Sequence, residues 1–358
     1  MKILIDAMGG DNAPNAVIMG VSQVINELDD GTELILIGQE AVLNTRSKEL
    51  LGKSLKEISN KISIQNAKEI IVMEDIPTKA IMNKKDSSMV VGFNMLKEEK
   101  GDVFISAGNS GALLTGATLL VGRIRGVDRP ALAGILPAYH GRLVLMDCGA
   151  NTNCKPINLL QFAQMASIYM ENTVGIKDPK IGLLNIGTEE TKGNDLMKRS
   201  YQLLKKYSED LDINFVGNVE GREAFLGGVD AVITDGFTGN NTLKSIEGLG
   251  KFVKKSLSES LKKNIWTKLG AIPSLPAIKN FAKTMDYKEY GGALFLGVKK
   301  PVVKAHGSSD AKLFKYTIKQ AEEFVKNDAV NQLISVYDSD KNKETMTHIK
   351  EDMEKPLE

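Results

Sequence analysis

Ile181-Gly-Leu-Leu-Asn-Ile186, followed by Gly187-Thr-Glu-Glu-Thr-Lys-Gly-Asn194, is the stretch on which the fold turns. The first six residues are an apolar run of strand length, and beyond Asp195 the residues Leu196, Leu203 and Leu204 recur among basic ones at helical spacing. The octapeptide is therefore a strand-to-helix corner. Glycine at each end permits close backbone approach, the threonines can cap a helix, and Lys192 lies near the positive end of the helix dipole. Such a corner favours an anion.

The same unit recurs through the chain. Lys2-Ile-Leu-Ile-Asp6 passes through Ala7-Met-Gly-Gly-Asp-Asn-Ala-Pro14 into a helix, with Pro14 suited to the first helical turn. Asp102-Val-Phe-Ile-Ser106 passes through Ala107-Gly-Asn-Ser-Gly111, and Leu143-Val-Leu-Met-Asp147 through Cys148-Gly-Ala-Asn151. Val229-Asp-Ala-Val-Ile-Thr-Asp235 passes through Gly236-Phe-Thr-Gly-Asn240. Each apolar strand ends in a polar residue (Asp6, Ser106, Asp147, Asn185, Asp235) and turns through glycine into a helix. Alternating strands and helices predict an α/β chain with a mostly parallel sheet covered on both faces, whose ligand sits at the carboxyl ends of the strands. On that geometry all five corners line one cleft. No corner is a GxGxxG, a GxxxxGK[ST] or a GxSxG, so the dinucleotide, P-loop and nucleophile-elbow readings lack support.

Composition narrows the function further. Lys plus Arg is 46 and Asp plus Glu is 45, a net charge of +1, which gives no global attraction to nucleic acid. Two cysteines, Cys148 and Cys154, and three scattered histidines argue against a disulfide framework or a zinc site. The N-terminus runs straight into a strand with too short an apolar stretch for a signal peptide, and no window is long enough to cross a bilayer. These features predict a cytoplasmic chain, soluble or attached to a membrane only at its surface.

The segment from Lys251 to Leu269 carries six lysines against the single acid Glu259, together with Phe252 and the only tryptophan, Trp266. A helix basic on one side and apolar on the other can lie on an anionic membrane. Val253, Leu257, Leu261, Ile265 and Leu269 recur every four residues, so on a straight helix their stripe drifts by about 40° per step. A bend near Ser258 or Asn264 would restore one face; burial in a dimeric helix pair is the alternative. Lys79, Lys84 and Lys85 either face an acidic partner or form a solvated face. His306, Ser308 and Ser309 beside the final helix make a second anion cradle, with capping by Ser308 or Asp310 as the structural alternative. From Asp338 the chain is almost wholly charged and polar, and a frayed tail over 337–358 is expected.

Ile5-Asp-Ala-Met-Gly-Gly-Asp-Asn-Ala-Pro14, Ser106-Ala-Gly-Asn-Ser-Gly-Ala-Leu-Leu114, Gly187 to Asn194, Asp235 to Asn240 and His306-Gly-Ser-Ser-Asp-Ala-Lys312 together resemble the bacterial phosphate acyltransferases of the PlsX family. The resemblance runs from about Lys2 to Val336. It implies a three-layer α/β/α fold similar to phosphotransacetylases and isocitrate-type dehydrogenases, as a single domain over 1–336 with a helical tip at 251–282. It also implies transfer of a long-chain fatty acyl group from acyl carrier protein to orthophosphate, with no cofactor or metal, by a homodimer held peripherally on the membrane. Carried onto this chain, the family's catalytic pair falls on Lys192 and Asn240, and the tip on Phe252, Leu257, Leu261, Ile265, Trp266 and Leu269. The substrate site is expected among Asp6, Gly9, Gly10, Asn109, Ser110, Gly111, Asn151, Gly187, Thr188, Asp235, His306, Ser308 and Ser309. Phe237, Leu249 and Phe252 are candidates for an acyl groove. Departures from the family pattern are Ser110 in place of threonine, Leu294 in place of proline and Lys299-Lys-Pro301 in place of Asn-Gly. Three alternatives remain open: an acyl-coenzyme A phosphotransacetylase, a dehydrogenase of the related fold, and a non-catalytic membrane scaffold.

Overall fold

The computed structural model describes residues 1–139, 141–284 and 291–354. Its strands are β1 (Lys2–Asp6), β2 (Glu33–Gly38), β3 (Ile62–Asn66), β4 (Val103–Ser106), β5 (Ala131–Ala138), β6 (Gly141–Met146), β7 (Lys180–Asn185), β8 (Asn214–Glu220), β9 (Ala231–Ile233), β10 (Ala293–Leu296) and β11 (Val302–Lys304). They form one sheet in the order β3-β2-β1-β4-β11-β10-β5-β6-β9-β7-β8. Because successive side chains point to opposite faces, Ile3 and Ile5 enter one core, with the helices Asn15–Val24, Pro156–Tyr169 and Ala311–Lys326, while Leu4 enters the other, with Ser88–Lys97. Both faces are covered, which explains why these strands are apolar without alternation.

The pairings add a feature that the strand–helix alternation does not reveal. β11 with β10, β10 with β5, and β5 with β6 are antiparallel, whereas the other pairs are parallel. Three reversals in succession leave β6, β9, β7 and β8 running opposite to β3, β2, β1, β4 and β11. The sheet is mostly parallel as expected, but the expectation of one cleft lined by five equivalent corners needs correction: the corners fall into two groups. In the first, Asp11 N donates to Gly307 O at 2.8 Å, and a Cβ on Gly9 would lie 2.8 Å from Gly108 N. In the second, Gly236 N donates to Asn151 O at 2.7 Å.

The long helix Gly236–Lys262 breaks at Asn264, whose side chain accepts from Thr267 N at 2.9 Å, and the chain returns as Ile265–Thr284. The predicted bend falls at the second of its two expected positions. The frayed tail is a correction. Asp340–Met353 is a helix, with Ile349 fully buried, Gln164 Nε2 donating to Asn342 Oδ1 at 2.6 Å and Tyr207 Oη donating to Asp352 Oδ2 at 2.6 Å. Its apolar stripe is only Met346, Ile349 and Met353, sparse among charged neighbours. Lys84 is also accounted for internally, pairing with Asp75 at 2.5 Å. No described helix is long and apolar enough to cross a membrane.

Ile349→Ala should lower the unfolding free energy by about 2–4 kcal/mol, as for a large-to-small change in a core. A urea titration with an unchanged midpoint would show that the last helix does not pack.

Candidate active site

At the end of β6, Asp147 is fully buried and accepts hydrogen bonds from Leu132 N (3.1 Å), Gly149 N (3.1 Å), Ala150 N (3.0 Å), Asn151 N (2.6 Å) and Asn151 Nδ2 (2.8 Å). Burial pushes its carboxyl up and these donors oppose the shift. Next to it Asp235 caps the helix Gly236–Lys262, accepting from Phe237 N at 2.9 Å and Thr238 N at 3.0 Å. The helix starts hard against the Asp147 turn: a Cβ on Gly239 would lie 2.0 Å from the Asp147 carbonyl oxygen, so only glycine allows this approach. The consequence is the position of the next residue. Asn240 sits over Gly149, where an added Cβ would meet its side chain at 3.4 Å.

One helical turn on from Asn240 comes Lys244, and Glu247 follows on the same face. Glu247 Oε2 accepts from Lys244 Nζ at 2.9 Å and lies 3.4 Å from His306 Nε2; Lys244 Nζ also contacts that ring nitrogen directly. His306 Nδ1 lies 2.9 Å from Ser308 Oγ. Burial raises the Glu247 carboxyl, but hydrogen bonds from His306 and Lys244 outweigh it and bring the group down to about 2.

Both groups of corners open onto a cavity of about 280 Å³. Ser110, Lys304, His306 and Gly307 reach it from the first, Cys148, Gly149 and Asn240 from the second, and Lys244 and Glu247 from the helix. Leu132, Ile135, Leu136, Leu243 and Leu313 supply apolar wall. Burial, with Asp147 adding to it, pushes the Cys148 thiol up to about 12, so it stays protonated and is no nucleophile. The lining combines apolar side chains, neutral donors and cations. It suits a long apolar substrate that ends at an anion.

Of the residues expected to touch substrate, Ser110, Asn240 and His306 line this cavity. The others do not line it, and most of them hold the corners together. Asp6 is buried and accepts from Ser106 Oγ at 2.7 Å, with burial pushing its carboxyl up. Asn109 caps its helix through Ala112 N at 3.0 Å, and Asn151 donates to Pro130 O at 2.8 Å. Gly9 and Gly10 pack against Gly108 and Gly307, and an added Cβ on Gly111 would meet Pro77. Asp310, not Ser308, caps the helix Ala311–Lys326, and Ser309 is buried with its hydroxyl donating to His306 O. Gly187, Thr188 and Lys192 do not line the cavity: Lys192 and Thr188 are exposed, and Lys192 N donates to Glu189 O within its own turn at 3.1 Å. Phe237, Leu249 and Phe252 likewise stand outside the cavity and are exposed. Lys244, Glu247, Lys304 and Cys148 were not anticipated. The available signals were the helical spacing of Lys244 and Glu247 from Asn240, and the place of Lys304 at a strand end two residues before His306.

On the tip, Phe252, Ile265 and Trp266 are exposed, Trp266 by 78%, while Leu257 and Leu261 are half-buried. The side chain of Leu269 lies outside the described residues.

This is the fold of the phosphotransacetylases. A phosphotransacetylase from Staphylococcus aureus superposes with a TM-score of 0.54 at 15% identity, covering 91% of this chain and 94% of that one. One from Streptococcus pyogenes gives 0.54 at 16% identity over the same shares. At those identities the likeness is one of fold alone. The sequence goes further. Residues 1–332 match the family described as "Fatty acid synthesis protein". A phosphate acyltransferase from Thermoanaerobacter pseudethanolicus is 47% identical over 333 residues, covering 93% of this chain and 96% of the relative. Another, from Acetivibrio thermocellus, is 49% identical, covering 93% and 95%. The chain belongs to this family, the PlsX phosphate acyltransferases.

Since the Glu247 carboxyl titrates below its ordinary value of 4.5 in the folded state, its ionised form stabilises the fold above that value, and the contribution is lost as pH falls from 4.5 toward about 2. Glu247→Gln should therefore flatten the acid limb of the Tm–pH curve in that window. Superimposable limbs would mean that the cluster contributes nothing to stability.

Proposed function

We propose that this protein transfers a long-chain fatty acyl group from the thioester of acyl carrier protein to orthophosphate, giving an acyl phosphate for phospholipid synthesis. The observation that carries the reading is the cavity itself, lined both by leucines and by Asn240, Lys244 and Lys304, in a chain of this family. Orthophosphate is a nucleophile at neutral pH, and a thiolate with a pKa of about 8.5 leaves without strong acid assistance. The attack forms the phosphate-oxygen bond to the carbonyl carbon, the oxyanion collapses, and the carbon–sulfur bond breaks to release thiolate. An activated serine is unnecessary. The step asks for relief of repulsion around the phosphate and for donors at the developing oxyanion.

In this reading the Asn240 side-chain amide is the neutral donor to that oxyanion, and the apolar wall of Leu132, Leu136 and Leu243 receives the first part of the acyl chain. Lys192 is kept as the cationic partner on the strength of the family motif. Its corner lies outside the cavity, so the proposal requires its long side chain to reach in when substrate binds, which makes its replacement a discriminating test.

The carrier protein is acidic and would dock through lysines on the rim, acting mainly on association rate. The protein is proposed to act as a homodimer on the inner face of the cell membrane. The helical hairpin supports peripheral attachment: exposed Phe252, Ile265, Trp266 and Ile272 share it with exposed Lys251, Lys254, Lys255, Lys262 and Lys263.

Asn240→Ala and Lys192→Ala should each lower turnover by about 10²-fold or more, as for loss of an oxyanion donor. The assay is phosphate-dependent release of carrier-protein thiol from long-chain acyl carrier protein. Near-normal turnover of both folded variants would remove this assignment. Separately, Phe252→Glu with Trp266→Glu should abolish co-sedimentation with vesicles containing anionic lipid while leaving thiol release in solution intact. Undiminished sedimentation would remove the tip from membrane contact.

A further inference from the structure

Lys304 ends β11, where its position is fixed by two neighbours: it pairs with Ser106 on β4 and with Ala293 on β10. The residue lines the cavity beside Lys244, Glu247 and His306. Those three satisfy one another, because the Glu247 carboxylate takes Lys244 at 2.9 Å and lies 3.4 Å from His306 Nε2. Lys304 has no such arrangement. Among the described residues it makes no ion pair and no side-chain hydrogen bond. Two lysines against one glutamate leave the cavity with an excess of one positive charge, facing walls of Leu132, Leu136 and Leu313. Lys304 is half-buried, and an ammonium partly shielded from water without a partner holds an arriving anion more strongly than one in open solvent. Burial draws the Lys304 ammonium below its usual range, and the nearby Lys244 charge lowers it further.

We infer that Lys304 is the cation that seats the acceptor phosphate, with Ser110 and His306 as its neighbours in the cavity and the Lys244–Glu247 pair as a fixed wall. This rests on the acyl-transfer reading above and names the phosphate site within it. Two other roles for a half-buried lysine fail on chemistry. As a nucleophile its amine would take the acyl group as a stable amide and stop turnover. As a partner to a thiolate it lacks the thiolate, since Cys148 stays protonated. The anion could be free orthophosphate or the phosphodiester of the carrier's prosthetic group, and the proposal commits to the first.

The test uses the full chain. Lys304→Met should raise the KM for inorganic phosphate by about 10- to 100-fold, as for loss of a hydrogen bond to a charged group, with the KM for acyl carrier protein little changed. Lys304→Arg should recover part of the loss. An unchanged phosphate KM in Lys304→Met, or a rise confined to the carrier protein, would overturn the assignment. A second measurement needs no variant. Acetic anhydride labelling of Lys304 in the native protein, followed by peptide mass spectrometry, should slow in inorganic phosphate relative to chloride at equal ionic strength. Equal labelling rates sink the proposal even where Lys304→Met does not fold. Native protein that releases no thiol with phosphate present defeats the acyl-transfer reading, while the labelling comparison still judges Lys304 on its own.

Discussion

The buried carboxylate of Asp147 is the interaction on which the site depends. Its five donors come from the start of β5, from the turn after β6 and from the side chain that closes that turn. An unpaired carboxylate there would be expensive, and saturation with N–H groups is what makes the burial tolerable. The same turn sets a floor against which the helix Gly236–Lys262 begins, at a distance only Gly239 permits. From that one contact follow the seat of Asn240 over Gly149 and, by helical spacing, the approach of Lys244 and Glu247 to His306. The cavity-lining face of the helix is thus set by a carboxylate that lies outside the cavity.

The same division of labour runs through the polar strand ends. Asp6, Asn109, Asn151 and Asp235 look, in sequence, like ligands gathered at a cleft; in the fold they are caps and pins that satisfy backbone groups at the corners. This has a physical reason. A strand-to-helix corner leaves several N–H groups unpaired where no water reaches, so each corner needs its own acceptor before it can offer anything to a ligand. The residues left over for the cavity are those one step further along, such as Ser110 and Asn240, or those from an unrelated strand, such as Lys304.

Much of the architecture was legible because strand, glycine turn and helix follow one another in short order. Ile181 to Asn194 announces such a unit, and the others repeat it. What sequence order does not encode is strand direction across non-neighbours. The antiparallel β5–β6 hairpin and the return of β10 and β11 to the centre reverse half of the sheet, and this divides the corners into two groups. Lys304 was invisible for a related reason. A lysine at the end of a short strand is ordinarily solvated, and only its neighbours β4 and β10, distant in sequence, enclose it. The final helix escaped notice because three apolar side chains, spread among charges, carry only a weak periodic signal.

The return of β10 and β11 also governs how the chain must be assembled as it leaves the ribosome. β4 ends at Ser106, yet the strand that pairs along its inner edge begins only at Val302. Until then the amino-terminal half presents an open, apolar strand edge, the kind of surface that recruits other chains. The carboxyl half is in the same position at β5, whose outer neighbour is β10. Neither half can close its sheet before β10 and β11 are made, so both open edges persist until residues near the end of the chain complete the sheet.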